Sequence, residues 1–473
     1  MSNLSNEKPT PPTSPSRGRR FKLFLGVTIF LAFLCTIIVL IKKSHAQSEW
    51  EHYQQELATA GEHLDWDYFI PPEIKAEENF YAAPFMKDMF QRQGGGRSAT
   101  NQWILPENDR RWESLNEKET FIKSPNGVTY PISVVFQWEK DHQQLLQIFF
   151  EACQRPKSRV LTDFKNPISR DMPNFVTMRS TAQAMSTLAK AHLAAGHPEE
   201  AMRYLAGIHR LRQTLASGQT LVESMINVAL GGVYIEVVRD GFEQKSWSDE
   251  QLRTLQKKLL ELNCVPGLPN SLRAEVAGMI RTIDTMPASA IFNWSSYGKG
   301  TKWAQFERSI TSMWQSLIFS SAREKNLLSY TRLMMGNLDS MDAKADRIYP
   351  KKCAAFMIRI NSLDFSAREN LLASIAIPNF TKATETTAKN QTLLNEAALV
   401  CALELFRRAQ GHYPETLQEL SPGYIAVLPH DIITGEPLRY QRTSPDAFKL
   451  YAVGWDGIDD GGIPTDWAWT TGK

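Results

Sequence analysis

The sequence predicts three parts: a single N-terminal transmembrane helix, a mainly α extracytoplasmic body, and a small α+β domain at the C-terminus. Three observations carry that prediction. Leu23–Ile41 (LFLGVTIFLAFLCTIIVLI) is an unbroken stretch of 19 residues without a charge. From about Met172 to Leu372 apolar residues recur at three- and four-residue steps, the period of a helix face. After residue 373 the pattern becomes one long helical segment followed by short β-rich runs separated by Gly, Pro and Asp.

At ~1.5 Å rise per residue the Leu23–Ile41 run spans roughly 28 Å as a helix, about the hydrocarbon thickness of a bilayer. Lys8, Arg17, Arg19, Arg20 and Lys22 precede it, while Lys42 and Lys43 are followed by Glu49, Glu51 and Glu56. By the positive-inside bias, residues 1–20 form a cytoplasmic tail, residues 21–43 the anchor, and the bulk of the chain lies outside the cytoplasm. In a bacterial cell this is the inner membrane with a periplasmic body. The rival is a cleaved signal peptide, because Ser44-His45-Ala46 loosely fits a small-x-small cleavage site. The long apolar run and the two lysines beside that site favour the uncleaved anchor.

Composition bounds the rest. A chain of 473 residues, 42% hydrophobic and 22% charged, can hold two or three ordinary globular domains. A formal charge of +2 with no sustained basic face speaks against nucleic acid as a partner. The five cysteines stand singly, and no Cys-x-x-Cys pair exists, which excludes zinc ribbons and thioredoxin-like motifs. Outside the membrane Cys153, Cys264, Cys353 and Cys401 could form one or two disulfides or remain buried thiols.

Residues 1–20 are Pro/Ser-rich and basic, the composition of a disordered tail. In the juxtamembrane region, residues 44–170, Ser48–Glu62 continues as a helix that ends near Gly61. Asp65–Ala83 carries Pro71-Pro72 and reads as an extended strap held by Trp66, Tyr68 and Phe69. Phe121–Phe136 holds β-rich pieces around Asn126-Gly127, a hairpin signal. In the helical domain, residues 171–373, Thr181–Ala195 stops at Gly196-His197-Pro198 and Glu199–Ala216 restarts at once. The string LAKAHLAAGHPEEAMRYLAGIHRL resembles one helix-turn-helix unit of a tetratricopeptide repeat, with no second copy at that period. Thr220–Val238 is a further apolar helix, and Ser248-Asp249-Glu250 caps Gln251–Glu261. Trp303, Phe306, Ile310, Met313 and Leu317, widened by Trp314 and Ile318, form an apolar helix stripe that reads as core.

In residues 374–473, Ala376-Ile377-Pro378-Asn379-Phe380 leads into a long helix to Gln410, then Gly411-His412-Tyr413-Pro414. Leu428-Pro429-His430-Asp431 and Thr434-Gly435-Glu436-Pro437-Leu438-Arg439-Tyr440 follow, then Phe448–Val453 and Gly454-Trp455-Asp456-Gly457. This ordered series resembles the C-terminal domain of type II secretion pseudopilins and type IV pilins. The resemblance implies a helix packed on a small antiparallel sheet and a link to secretion or pilus-like assembly. SLDFSARENLLAS (Ser362–Ser374) is neither a pilin leader nor a membrane span, so processing and polymerisation as a pilin subunit are not implied. The residues themselves give the same layout. Leu394, Ala397, Ala398, Cys401, Leu405 and Arg408 share one face of an amphipathic helix, Gly411 suits its C-cap, and Leu438–Arg442 and Phe448–Val453 are strands.

Catalytic signatures are scarce. No Gly-x-Ser-x-Gly elbow, phosphate-binding glycine loop or His-Glu-x-x-His motif occurs. His192 and His197 with Glu199 and Glu200 form the densest His/carboxylate cluster, and their place at a helical turn reads as solvated loop or capping. Glu77-Glu78 and Asp459-Asp460 are adjacent carboxylates without implied geometry. Asp456, Asp459, Asp460 and Asp466 lie among Gly457, Gly461 and Gly462, and calcium takes about six to eight oxygen ligands. A calcium loop after an equivalent strand is also what the pseudopilin resemblance implies, and a solvated Asp/Gly turn is the other reading. The expectation is a membrane-anchored, non-catalytic envelope protein that mediates protein contacts. The alternative is an envelope hydrolase whose site is assembled from scattered residues.

Overall fold

A computed structural model of the chain describes residues 17–86, 103–105, 119–167, 170–216, 218–285, 323–363, 370, 372, 380–463 and 465–470. It is mainly α-helical with small antiparallel sheets. The first element, α1 (Arg17–Thr59), is a single unbroken helix that contains Leu23–Ile41. Its exposure pattern changes along its length. Phe24 is 72% exposed, Phe33 63% and Ile41 64%, whereas Ala46, Trp50 and Leu57 are buried. The spacing of the last three, with half-buried Tyr53 between them, makes one stripe docked on the body. Gly61, at φ 82°, ends the helix, and Glu62 accepts two hydrogen bonds from Arg273 at 2.5 and 2.7 Å.

The strap is held by fewer aromatics than its sequence suggests. Trp66 is buried and donates its indole N–H to the Phe164 carbonyl at 2.7 Å, and Phe69 packs beside it. Tyr68 instead turns outward, 62% exposed, and stacks on His63. The hairpin consists of β1 (Phe121–Lys123) and β2 (Thr129–Pro131), with Gly127 at φ 88° in its turn. The β-rich reading through Phe136 is corrected here: from Ile132 the chain is α2 (Ile132–Asp141). The apolar Val134-Val135-Phe136 run carries no period of its own, and Val135 and Trp138 bury one helix face.

Next come α3 (Gln143–Cys153), α4 (Phe175–Ala194), α5 (Pro198–Leu215), α6 (Leu221–Glu243), α7 (Asp249–Leu260) and α8 (Gly267–Thr285). Their ends follow local chemistry. Gly196, at φ 79°, closes α4 and Pro198 opens α5, while Thr220 with Glu223 and Ser248 with Gln251 form capping boxes for α6 and α7. By length and composition α6 is apolar enough to cross a membrane, yet most of it is buried. It packs against α4, α5 and α8, which accounts for its apolarity. Residues 323–338 are helical, followed by a two-residue hairpin, β3 (Met341–Asp342) and β4 (Arg347–Ile348), and α9 (Pro350–Asn361). The Trp303–Ile318 stripe lies outside the described residues.

The long helix α10 (Phe380–Gln410) ends at Gly411, with φ 83°. It is not amphipathic as expected: every residue from Leu394 to Phe406 is buried. The reason is its position between α6 and α7 on one side and a sheet on the other. That sheet is antiparallel, ordered β5 (Arg439–Ser444), β6 (Ala447–Ala452), β7 (Trp467–Thr470). Phe448, Leu450 and Ala452 alternate toward the core, and Leu450 pairs with Trp469. The strand β7 was not anticipated from the sequence. One hydrophobic cluster joins α4 to α7 with α10 and the sheet, across residue 373. Cys153, Cys264, Cys353 and Cys401 are free thiols.

Candidate functional site

Three helices bring a carboxylate, an imidazole and a phenol together. Glu139 on α2 places both carboxylate oxygens 3.1 and 3.2 Å from Nε2 of His192 on α4. Tyr204 on α5 donates its hydroxyl to the same carboxylate. The His192 ring lies 4.9 Å from that of Phe136 and stacks at 5.6 Å on that of Tyr204. Burial alone would raise the Glu139 carboxyl, but the bonds from His192 and Tyr204 outweigh it and hold its pKa below the ordinary value. Burial and the bond to Glu139 push the Tyr204 hydroxyl far up. At neutral pH Glu139 is therefore an ionised acceptor and Tyr204 a retained donor.

This arrangement forms one wall of an open cleft of about 530 Å³, lined also by Gln143, Gln147, Phe150 and Arg203. The Arg203 guanidinium sits 4.3 Å over the Phe150 ring and 3.0 Å from Glu200. Among the described residues no serine, threonine or cysteine lines the cleft, and its Tyr204 hydroxyl is held by Glu139. His192 spends Nε2 on Glu139, while Nδ1 is buried without a partner among the described residues. The cleft can thus accept hydrogen bonds and cations, whereas its imidazole is turned inward.

The sequence reading of His192 is corrected by this geometry. His197 and Glu199 are exposed at the turn as expected, but His192 is buried, and its partner Glu139 lies 53 residues away in the chain. No local signal connects the two.

The four aspartates of the C-terminal loop are spread over separate tasks. Asp466, 5% exposed, accepts the N–H groups of Asp460 and Gly462 at 3.1 and 2.7 Å. Asp460 accepts the Thr465 hydroxyl, and Asp456 accepts the N–H of Ile458. Asp459 accepts Arg439 Nε at 2.8 Å and the Tyr451 hydroxyl at 3.2 Å, and the arginine holds its carboxyl low. Among the described residues no group of three or more His, Cys, Asp or Glu converges as a metal ligand set. The carboxylates of Asp456, Asp459, Asp460 and Asp466, the expected calcium ligands, here accept hydrogen bonds within the loop and from Arg439 and Tyr451. Arg439 also donates to the fully buried Asp431 at 2.9 Å, which further accepts N–H groups of Ile433 and Val453. Those two residues tie the loop to the sheet, a role that sequence reasoning missed.

No family model, curated protein or solved structure matches the chain.

Proposed function

We propose that this is a single-pass membrane-anchored protein of the cell envelope that works by binding protein partners. The observation that carries the reading is α1. Its Leu23–Ile41 half exposes large apolar side chains at Phe24, Ile29, Phe33 and Ile41, which would be costly in water, while its Ala46–Leu57 half docks on the body. A helix apolar around its whole circumference needs a bilayer or a protein shell, and the length of this stretch suits a bilayer. The basic residues before it favour a cytoplasmic N-terminus with the body outside, at the inner membrane of a bacterial cell.

A link to secretion or pilus-like assembly rests on the resemblance of residues 374–473. The long helix α10 lying on an antiparallel sheet supports it. The expected experiment has the full chain remaining in the membrane fraction after high-salt and carbonate washing. A mature N-terminus at Gln47 by mass spectrometry, or release by carbonate, overturns the anchor.

The Glu139 cleft favours a second reading, an envelope hydrolase. Turnover of ester, glycoside or peptide substrates that disappears in Glu139→Gln would support it. Absence of turnover, with partners retained on the membrane-extracted protein, supports the binding role.

A further inference from the structure

A second, smaller pocket of about 230 Å³ opens between α1, the 323–338 helix and α9. Lys325, Ser329 and Arg332 stand on one face of the 323–338 helix, at steps of four and three residues, and Arg359 reaches in from α9. The carboxylate in its wall, Glu49 on α1, lies 3.5 Å from His45 Nδ1. Arg332 is held 5.0 Å over the Tyr53 ring, and the fields of Arg332 and Arg359 both reach the Tyr53 hydroxyl. Among the described residues neither arginine has an ion-pair partner. Two guanidinium groups thus face one concave space from two elements, and among the described residues Glu49 is the carboxylate that lines it.

We propose that this pocket is a phosphate-anion site that takes the headgroup of an anionic phospholipid. Guanidinium forks match phosphate oxygens in bidentate geometry, which suits Arg332 and Arg359 to this role. The pocket is smaller than the roughly 300–1,000 Å³ of drug-sized ligand sites, which suits one phosphoester group. Its height above the bilayer agrees, a step that rests on the anchor reading of Leu23–Ile41. Glu49 stands eight residues beyond Ile41, or about 12 Å along the helix. A headgroup layer of roughly 5–8 Å, together with the length of a lysine or arginine side chain, closes that distance. Exposed Lys42 and Lys43 occupy the interval and draw the same lipids. Soluble phosphate compounds share the chemistry, so the test separates the two sources.

The full chain is placed in nanodiscs of phosphatidylcholine with or without phosphatidylglycerol, and separately given millimolar inorganic phosphate in phosphatidylcholine discs. The expected result is a higher melting midpoint with phosphatidylglycerol and retention of one such lipid per chain by native mass spectrometry. Arg332→Gln/Arg359→Gln should bind it about 30-fold more weakly, at about a fivefold loss per cation. Arg359→Gln alone gives the same direction without disturbing the Tyr53 contact. Protection by inorganic phosphate without any phosphatidylglycerol effect overturns the lipid assignment. Equal lipid retention by wild type and both variants overturns the site. Failure of the chain to enter discs at all is a failure of the anchor, and is seen before any lipid is compared.

Discussion

The carboxylate of Glu275 on α8 accepts a hydrogen bond from the backbone N–H of Leu221, 2.7 Å away at the first residue of α6. It thereby caps one helix from another. Burial pushes the Glu275 pKa up to about 7, and the charge of Glu223 adds to this against the Leu221 N–H and Arg170. A carboxyl raised in the folded state stabilises the fold below its unfolded pKa and loses that contribution as pH rises through the folded value. Stability should therefore fall between about pH 4.5 and 7.5, by on the order of 3 kcal/mol from this group. Glu275→Gln keeps an acceptor for Leu221 and should flatten that part of the profile. Urea midpoints measured at pH 5, 6, 7 and 8 check it, and parallel profiles for the two proteins would refute it.

Glu139 satisfies both His192 and Tyr204, so its removal strands two buried donors. Glu139→Ala should cost about 2–4 kcal/mol, and Glu139→Gln and Tyr204→Phe each about 1–2 kcal/mol. A double-mutant cycle on Glu139 and Tyr204 should show coupling of about 1 kcal/mol or more. Additive losses would mean that the two groups act independently.

In the C-terminal loop the aspartates should differ according to what they accept. Asp466→Ala removes an acceptor from two backbone N–H groups in a buried place and should cost about 2 kcal/mol. Asp456→Ala loses one local bond at an exposed turn and should cost less than about 0.5 kcal/mol. Because the carboxylates do not converge, the melting midpoint of the wild type should be the same in millimolar calcium and in chelator. A rise in calcium that Asp456→Ala abolishes would restore the metal reading.

Two glycines make room for close approach. A Cβ on Gly454 would meet the Thr465 carbonyl oxygen at 1.9 Å, and one on Gly241 would meet the Trp247 ring at 2.2 Å. Gly454→Ala and Gly241→Ala should each destabilise by about 3 kcal/mol or more, the first by forcing backbone apart beneath the loop. Gly423→Ala, with nothing within 4 Å of its Cβ, is the control and should stay near wild type. Thermal melts of the three variants rank them.

What the sequence made legible was local. The stops at Gly61, Gly196 and Gly411 and the capping boxes at Thr220 and Ser248 involve neighbours within a few residues, and each stands where its chemistry requires. What was hidden depended on distant partners. Glu139 meets His192 across three packed helices, and nothing in either neighbourhood signals the other. The face of α10 was misread because its polar and small residues, among them Glu396 and Ala402, are buried by a sheet formed later in the chain. Strand β7 is only four residues long and follows an Asp/Gly loop, so its Trp467 and Trp469 alternation is too brief to show a period.

The burial of α10 also sets an order of events during synthesis. Helices α6 and α7 are complete about 150 residues before α10 ends, a delay of roughly 10–30 s at usual elongation rates. Until α10 leaves the ribosome, the flanks of both helices that it will cover stay wet, with no other described element to replace it. The nascent chain is then a natural client for holding chaperones. A product that stops short of Phe380 keeps those flanks open permanently, which makes early termination a route to aggregation and degradation.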